Sequence, residues 1–134
     1  MAVYIPSNKT KKFLDLAGNV ANQGGYPRFK HGAALVKGSS VINTAYNKNG
    51  YCSFGARFYE GNPNNVTLHA ELASILNIER ENTENSVVYV VRVNTAGEYR
   101  LSKPCKMCES AMRFCGIKKV IYSTNDGFEV MRLK

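Results

Sequence analysis

Four residues in two short stretches carry side chains able to do chemistry together: His69 and Glu71 in "HAE", and Cys105 and Cys108 in "PCKMC", with 32 residues between the stretches. Cys105 and Cys108 are spaced i, i+3, so at the start of a helix both sulfurs point to the same side. Pro104 fits just ahead of such a helix, where its missing N–H is harmless. The positive end of the helix dipole favours thiolate, the form that binds metal. The pair is therefore half of a zinc site. His69 and Glu71 are i, i+2 and point to different sides of a helix, so they converge only on a point near its N-terminal end. Two helix starts facing one another across a sheet edge supply one nitrogen and two sulfurs to Zn2+, with water in the fourth position. Three protein ligands plus water is the composition of a catalytic site rather than a structural one. Zinc lowers the pKa of such a water to about 7. Glu71 is then the carboxylate beside it, placed to take the water proton and pass it to a ring nitrogen and a departing amine. Hydrolytic removal of an exocyclic amino group is the reaction that fits.

A Cys-x-x-Cys standing alone is equally a structural zinc half-site or a redox pair. A redox pair needs no histidine, and a structural site normally needs a fourth Cys or His. Cys115 reads as a core residue. Cys52 reads as an ordinary side chain, with a second ligand cluster as its alternative. His31 opens the first strand as a structural or solvated histidine, approach to a phosphate being the alternative. At 134 residues and 44% apolar side chains, the chain suits one domain with a real core, 1–134. No apolar run approaches the roughly 20 residues of a membrane helix, and the N-terminus lacks the apolar core of a secretory signal. A soluble, cytoplasmic protein with no membrane partner is expected. The net charge of +8 suits a polyanionic partner or a phosphorylated substrate.

The elements that must position these groups follow from periodicity. From Asn8 to Asn22, Phe13, Leu16, Ala17 and Val20 trace an amphipathic helix stopped at Gly24-Gly25. "GAALVKGSSVINTAYN" reads as a β-hairpin. Lys48 to Thr67 keeps no period and reads as one long loop. "TLHAELASILNIER" is a second helix with Thr67 as N-cap. "SVVYVVRV" is a strand buried on both faces. "NTAGE" turns the chain, and the helix after Pro104 places Met107, Ala111, Phe114 and Cys115 on one face, with Gly116 ending it. "KKVIYS" is another strand. Only four residues separate it from "FEVMRL", too few for a parallel return, so the two pair antiparallel. Alternating strands and helices give an α/β protein with a mixed sheet and helices on both faces, in three α/β/α layers.

The His-x-Glu…Pro-Cys-x-x-Cys pattern is the signature of the zinc nucleobase deaminases. From about Gly32 to Ser123 the sequence resembles the cytidine deaminase superfamily, with hairpin, "HAE" helix, buried strand, "PCKMC" helix and next strand in the family's order. The resemblance implies a cytidine deaminase-like fold with Zn2+ as cofactor. It makes His69, Cys105 and Cys108 the metal ligands and Glu71 the proton shuttle, and it places substrate contacts at Asn47, Ala70 and Lys103. It also implies a homo-oligomer.

Two substrate classes fit. "HAELASILN" and "GIKKVIYS" are similar to deoxycytidylate deaminases, which implies a free cytosine nucleotide or nucleoside converted to its uracil form. "PCKMCESAM" is similar to tRNA adenosine deaminases. With the charge and the aromatic-basic stretch "KNGYCSFGARFY", it implies a polynucleotide substrate, cytosine in single-stranded DNA or RNA or adenosine in tRNA. Two features depart: the 21 residues between Asn47 and His69 exceed the shorter spacing of tRNA adenosine deaminases, and the short tail departs from both families, resembling the antiparallel ending of free cytidine deaminases and several bacterial deaminase toxins. A silent module keeping zinc for structure is a third class. Glu71 argues against it, because a carboxylate buried beside zinc is costly unless it serves chemistry.

Overall fold

A computed structural model describes residues 4–24, 30–61 and 67–134. Helix α1 (Asn8–Ala21) starts where Ser7 Oγ accepts the Thr10 N–H at 3.2 Å, and it buries Leu14, Ala17, Gly18, Val20 and Ala21. Strands β1 (Lys30–Lys37) and β2 (Ser40–Tyr46) form the expected antiparallel hairpin, with Gly38 at φ +62° in its turn. Strand β5 (Val87–Val93) lies at the centre, antiparallel to β1 and parallel to β7 (Lys119–Ser123). The order is β2-β1-β5-β7-β8, with β8 (Phe128–Arg132) antiparallel to β7, as the short connection requires. Helix α5 (Lys106–Phe114) lies on the crossover between the two parallel strands.

Alternation along the central strands divides the core into two faces. Ala34, Val36, Tyr89, Val91 and Ile121 pack on α1, whereas Ala33, Leu35, Val88, Val90 and Val120 pack with Leu72, Met107, Cys108 and Met112 from α5 and α3 (Ala70–Ile75). The result is the three-layer α/β/α arrangement, a mixed sheet with helices on both faces. Among the described residues no helix is long and apolar enough to cross a membrane.

Four expectations are corrected. The 48–67 stretch is not one loop: it carries β3 (Lys48–Tyr51), the one-turn helix α2 (Ser53–Ala56) and β4 (Thr67–Leu68), which pairs with β3; residues 62–66 lie outside the described ones. Its elements are too short to register as a period. Thr67 therefore belongs to a strand, and His69 is the N-cap of α3. That helix stops at Ile75, and a separate turn, α4 (Arg80–Thr83), follows after Asn77 takes φ +63°. Phe114 is 52% exposed, since α5 buries Met107, Cys108, Ala111 and Met112 instead.

Helix α1 approaches β1 at Gly32, where a Cβ would meet the Ala17 carbonyl oxygen at 2.0 Å and the Ala21 nitrogen at 2.5 Å. Both are backbone atoms, so no side chain can move aside. Gly32→Ala should lower stability by about 1–3 kcal/mol or more, read as a fall in the urea midpoint. An unchanged midpoint would show that α1 does not press on the sheet as described.

Candidate metal and catalytic site

The site forms because α3 and α5 begin at the same end of the sheet. His69 is the N-cap of α3 and Cys105 the N-cap of α5, and neither uses its side chain to cap its helix. Cys108 follows one turn into α5, fully buried, while Cys105 is exposed. The segment entering α5 is fixed by two buried hydroxyls. Ser102 Oγ lies 2.9 Å from Ser123 Oγ and donates to the Val90 carbonyl at 3.0 Å, and the Ser102 N–H donates to the Ser123 carbonyl at 2.9 Å. This stitching joins β5, β7 and the short strand β6 (Tyr99–Arg100), which pairs with the end of β5.

His69 Nδ1 lies 3.3 Å from Cys108 Sγ and 3.8 Å from Cys105 Sγ, and the three donor atoms lie within 4.8 Å of one another. With Zn–S of about 2.3 Å and Zn–N of about 2.0–2.1 Å, a tetrahedral ion sets nitrogen and sulfur about 3.6 Å apart. The two observed separations bracket that value, so nitrogen and sulfurs fit Zn2+ in both type and spacing.

Glu71, in the first turn of α3, is 4% exposed, and its Oε1 has no hydrogen-bond partner. Burial raises its carboxyl above the ordinary range, against the opposing pull of its own backbone N–H and of His69. A carboxylic acid oxygen left without a partner inside a protein is costly unless a ligand completes it. The thiols divide their protons. Cys105 is pulled down to about 4, chiefly by a bond from Cys108, with a further bond from His69 overcoming burial. Cys108 is pushed up by the same bond and by burial. The His69 imidazole is raised by its bond to Cys105, against burial.

The substrate-contact expectations fare differently. Asn47 Oδ1 accepts the His31 N–H at 3.0 Å, and the Asn47 N–H donates to the His31 carbonyl at 3.3 Å, so Asn47 braces the start of β1. Asn43 instead ties β2 to α3, its Nδ2 donating to the Ser74 carbonyl at 3.1 Å. Ala70 is buried between His69 and Glu71 in sequence, and Lys103 is exposed two residues before Cys105. Cys115 packs against the core and Cys52 Sγ accepts the Gly55 N–H at 3.3 Å; neither joins the metal-type cluster found among the described residues. The aromatic-basic stretch is folded on itself: Phe54, Phe58 and Phe114 contact in sequence, with the Arg57 guanidinium 5.2–6.0 Å from all three rings. Arg92 is a residue that the sequence reading passes over, although one charged residue inside the apolar run "VVYVVRV" is a signal; His31, read as structural or solvated, is half-buried. Burial, then Arg92 and His69, hold the His31 ring down at about 4.

Residues 7–124 match the family model described as the cytidine and deoxycytidylate deaminase zinc-binding region. A deoxycytidylate deaminase of Mycobacterium phage D29 is 28% identical over 125 residues, covering 82% of this chain and 90% of the relative. Among solved structures, the dCMP deaminase of cyanophage S-TIM5 superposes with a TM-score of 0.62 at 22% identity, covering 90% of this chain and 86% of that one. The cytidine deaminase of Mycobacterium leprae does so with a TM-score of 0.58 at 17% identity, covering 93% and 94%. Both likenesses are of fold. The matched zinc-binding region and the His/Cys/Cys cluster agree on Zn2+ as the cofactor.

Metal and fold should be linked. Zn2+ held at 100 times its dissociation constant should stabilise the chain by about 2.7 kcal/mol, and Cys105→Ala or Cys108→Ala should abolish that gain together with zinc content. A chelator-insensitive melting curve in the wild-type protein would contradict this. A second expectation concerns pH. The unfolded chain protonates His31 near pH 6.5 and the folded chain only near 4. Its contribution to stability is therefore complete above about 6.5 and is lost as pH falls through 4. His31→Gln should flatten the stability profile over that interval by about 1–3 kcal/mol, measured by urea denaturation at several pH values.

Proposed function

Because the chain belongs to the cytidine and deoxycytidylate deaminase family, we propose that it is a zinc-dependent hydrolase that converts a free cytosine nucleotide or nucleoside to its uracil form. The observation that carries this reading is the buried Glu71 carboxyl, with Oε1 unpartnered, beside the His69, Cys105 and Cys108 donors. His69 Nδ1 and the two sulfurs would hold the ion. When bound, Zn2+ supplies Lewis acidity that brings the pKa of a water towards neutrality.

Every proton movement then falls to Glu71. Its carboxylate accepts a proton from the attacking water, delivers it to the ring nitrogen of the base, and passes the second proton to the departing amine. Water and the aminopyrimidine are consumed, and the oxo-pyrimidine and ammonia are formed. Burial raises the carboxyl above its ordinary range, which favours its proton-carrying form. Asn47, Ala70 and Lys103 as substrate contacts rest on the resemblance, with Ala70 between His69 and Glu71 and Lys103 two residues before Cys105 in sequence.

The free-substrate form is favoured over a strand because Phe54 and Phe58, two aromatics of the 48–61 segment, are committed to each other. Phe54 and Phe58 pack on the core and Arg57 lies over their rings, so they do not offer a bare stacking platform. A structure of the cyanophage S-TIM5 dCMP deaminase in complex with dCMP and dUMP, with a TM-score of 0.62 at 19% identity, supports a mononucleotide in this fold. We take residues 1–134 as one deaminase domain. Its reduced-thiol metal chemistry supports a cytoplasmic setting. Homo-oligomer formation rests on the resemblance alone, and light scattering tests it.

Glu71→Gln should keep zinc and fold yet lose at least about 10²-fold in kcat. The assay is mass spectrometry of a mixed incubation: cytidine, deoxycytidine, their mono- and triphosphates, adenosine, guanine and a single-stranded DNA oligomer. Conversion of the oligomer alone would replace the free-substrate reading with a strand-editing one. Unchanged turnover in the variant would remove Glu71 from the mechanism.

A further inference from the structure

A cavity of about 250 Å³ adjoins the metal-type donors, with Cys105 in its wall. One side of it is the first turn of α5, through Lys106 and Met107, and the other is the chain just after α2, through Phe58, Tyr59 and Glu60. Its lining is mostly apolar. Cys105 is the most exposed of the three donors, since Cys108 is buried and His69 half-buried. A molecule arriving from solvent therefore meets the donors on the Cys105 side, where the cavity lies.

The two aromatics of the cavity wall are held differently. Phe58 is half-buried against the core and meets Phe54 and Phe114 at centroid distances of 5.5 and 5.6 Å. Tyr59 is 45% exposed, yet its place is built. The chain is turned by the Phe58 N–H donating to the Gly55 carbonyl at 3.0 Å and the Tyr59 N–H to the Ala56 carbonyl at 3.4 Å. The edge of the Tyr59 ring then rests on Gly61, where a Cβ would lie 2.7 Å from Cε2 and 2.9 Å from Cζ and the hydroxyl oxygen. Any larger residue at 61 would push the ring aside. Lys106 Nζ reaches Glu60 Oε1 at 3.5 Å, so an exposed ion pair spans the two walls. An apolar cavity with a flat ring set in one wall, opening beside a metal-type donor, suits a planar ligand. A ring held by its face against tyrosine keeps its edge, where an exocyclic amino group sits, free to react.

We propose that Tyr59 is a substrate-binding residue whose ring packs on the face of the pyrimidine, and that Gly61 is the positioning residue behind it. The inference rests on the deaminase reading and deepens it with a wall that lies outside the His-x-Glu and Pro-Cys-x-x-Cys stretches. One such ring suits one base, in keeping with a free substrate.

The sequence contains no tryptophan, so Tyr59→Trp places a single indole in the cavity wall. The test follows the emission of this zinc-loaded variant as dUMP or deoxyuridine is added. Calorimetry of both compounds, and turnover of dCMP and deoxycytidine, are measured on wild-type, Tyr59→Trp, Tyr59→Phe, Tyr59→Ala and Gly61→Ala protein. The emission should change saturably, with the calorimetric Kd. Tyr59→Ala should weaken binding by at least about 5-fold, as for a lost base–aromatic stack. It should raise KM more than it lowers kcat, because the stack holds substrate and transition state alike. Tyr59→Phe, which keeps the ring, should keep most of the affinity, and Gly61→Ala, which displaces the ring, should lose part of it. Binding to Tyr59→Trp with no change in emission overturns the seat, as does wild-type affinity in Tyr59→Ala. If Tyr59→Ala fails to fold, the emission titration decides. Binding without turnover of either cytosine compound would count against the deaminase reading alone, while the emission and the affinity ratios still decide the seat. Failure of the wild-type protein to bind either compound overturns both.

Discussion

The constraint on which the rest of the structure depends is that two helices must begin at one point. His69 and Cys105 occupy N-cap positions without capping, which leaves their side chains available to each other, and Cys108 completes the trio one turn later. N-caps normally go to Ser, Thr, Asp or Asn, whose oxygens satisfy the first free N–H groups. Here that local stabilisation, about 1 kcal/mol per helix, gives way to ligands whose value appears only when an ion is held. The surrounding fold serves the same end. Parallel pairing of β5 and β7 requires a crossover, and α5 on that crossover starts beside the end of β5. The antiparallel β1 brings its own first residues, His31 and Gly32, to that end.

The chemistry was legible because its residue types have few other uses in that spacing. Three donors with one carboxylate, each near a helix start, leave little choice of reaction. The layers were legible for a different reason: the alternation along "GAALV" and the apolar run of β5 are long enough to fix both faces, and the short gap before Phe128 fixes the last pairing. What escaped was short or set by tertiary contact. A four-residue helix and a two-residue strand have no period, so the 48–67 segment could not be resolved into α2, β3 and β4. Thr67 is a good N-cap by type, but its pairing with β3 outweighs local propensity and moves the helix start to His69. Phe114 fits the helical spacing of the core face. It is nonetheless drawn to Phe58 and Arg57 on the outer surface, contacts that come from a distant part of the chain.

Burial and charge also meet in ways that a linear reading does not give. Glu71 and Cys108 are both pushed towards their protonated forms by burial, while exposed Cys105 is drawn towards thiolate. Both sulfurs bind a metal as thiolates. Ion binding and proton release are thus coupled at this site, and Glu71, next to the released proton, is the one buried carboxyl of the described residues.

The same end of the sheet shows why strand positions are not judged by propensity alone. Val93 and Tyr99 pair as an apolar and an aromatic residue and face α1, where Tyr99 donates to Asp15 at 2.7 Å and contacts Phe128. That side of β6 supplies ordinary packing. The other side supplies Arg100 opposite Arg92, a pairing that packing would not select. Because the two faces of one two-residue strand are held in register by the same hydrogen bonds, the apolar face can fix the geometry that the charged face requires. The tyrosine docks the strand on α1, Ser123 holds the backbone from the β7 side, and together they keep Arg92 and Arg100 in register. Packing on one face of β6 thus fixes the backbone of the other, at the end of β5 from which the chain runs on to Cys105.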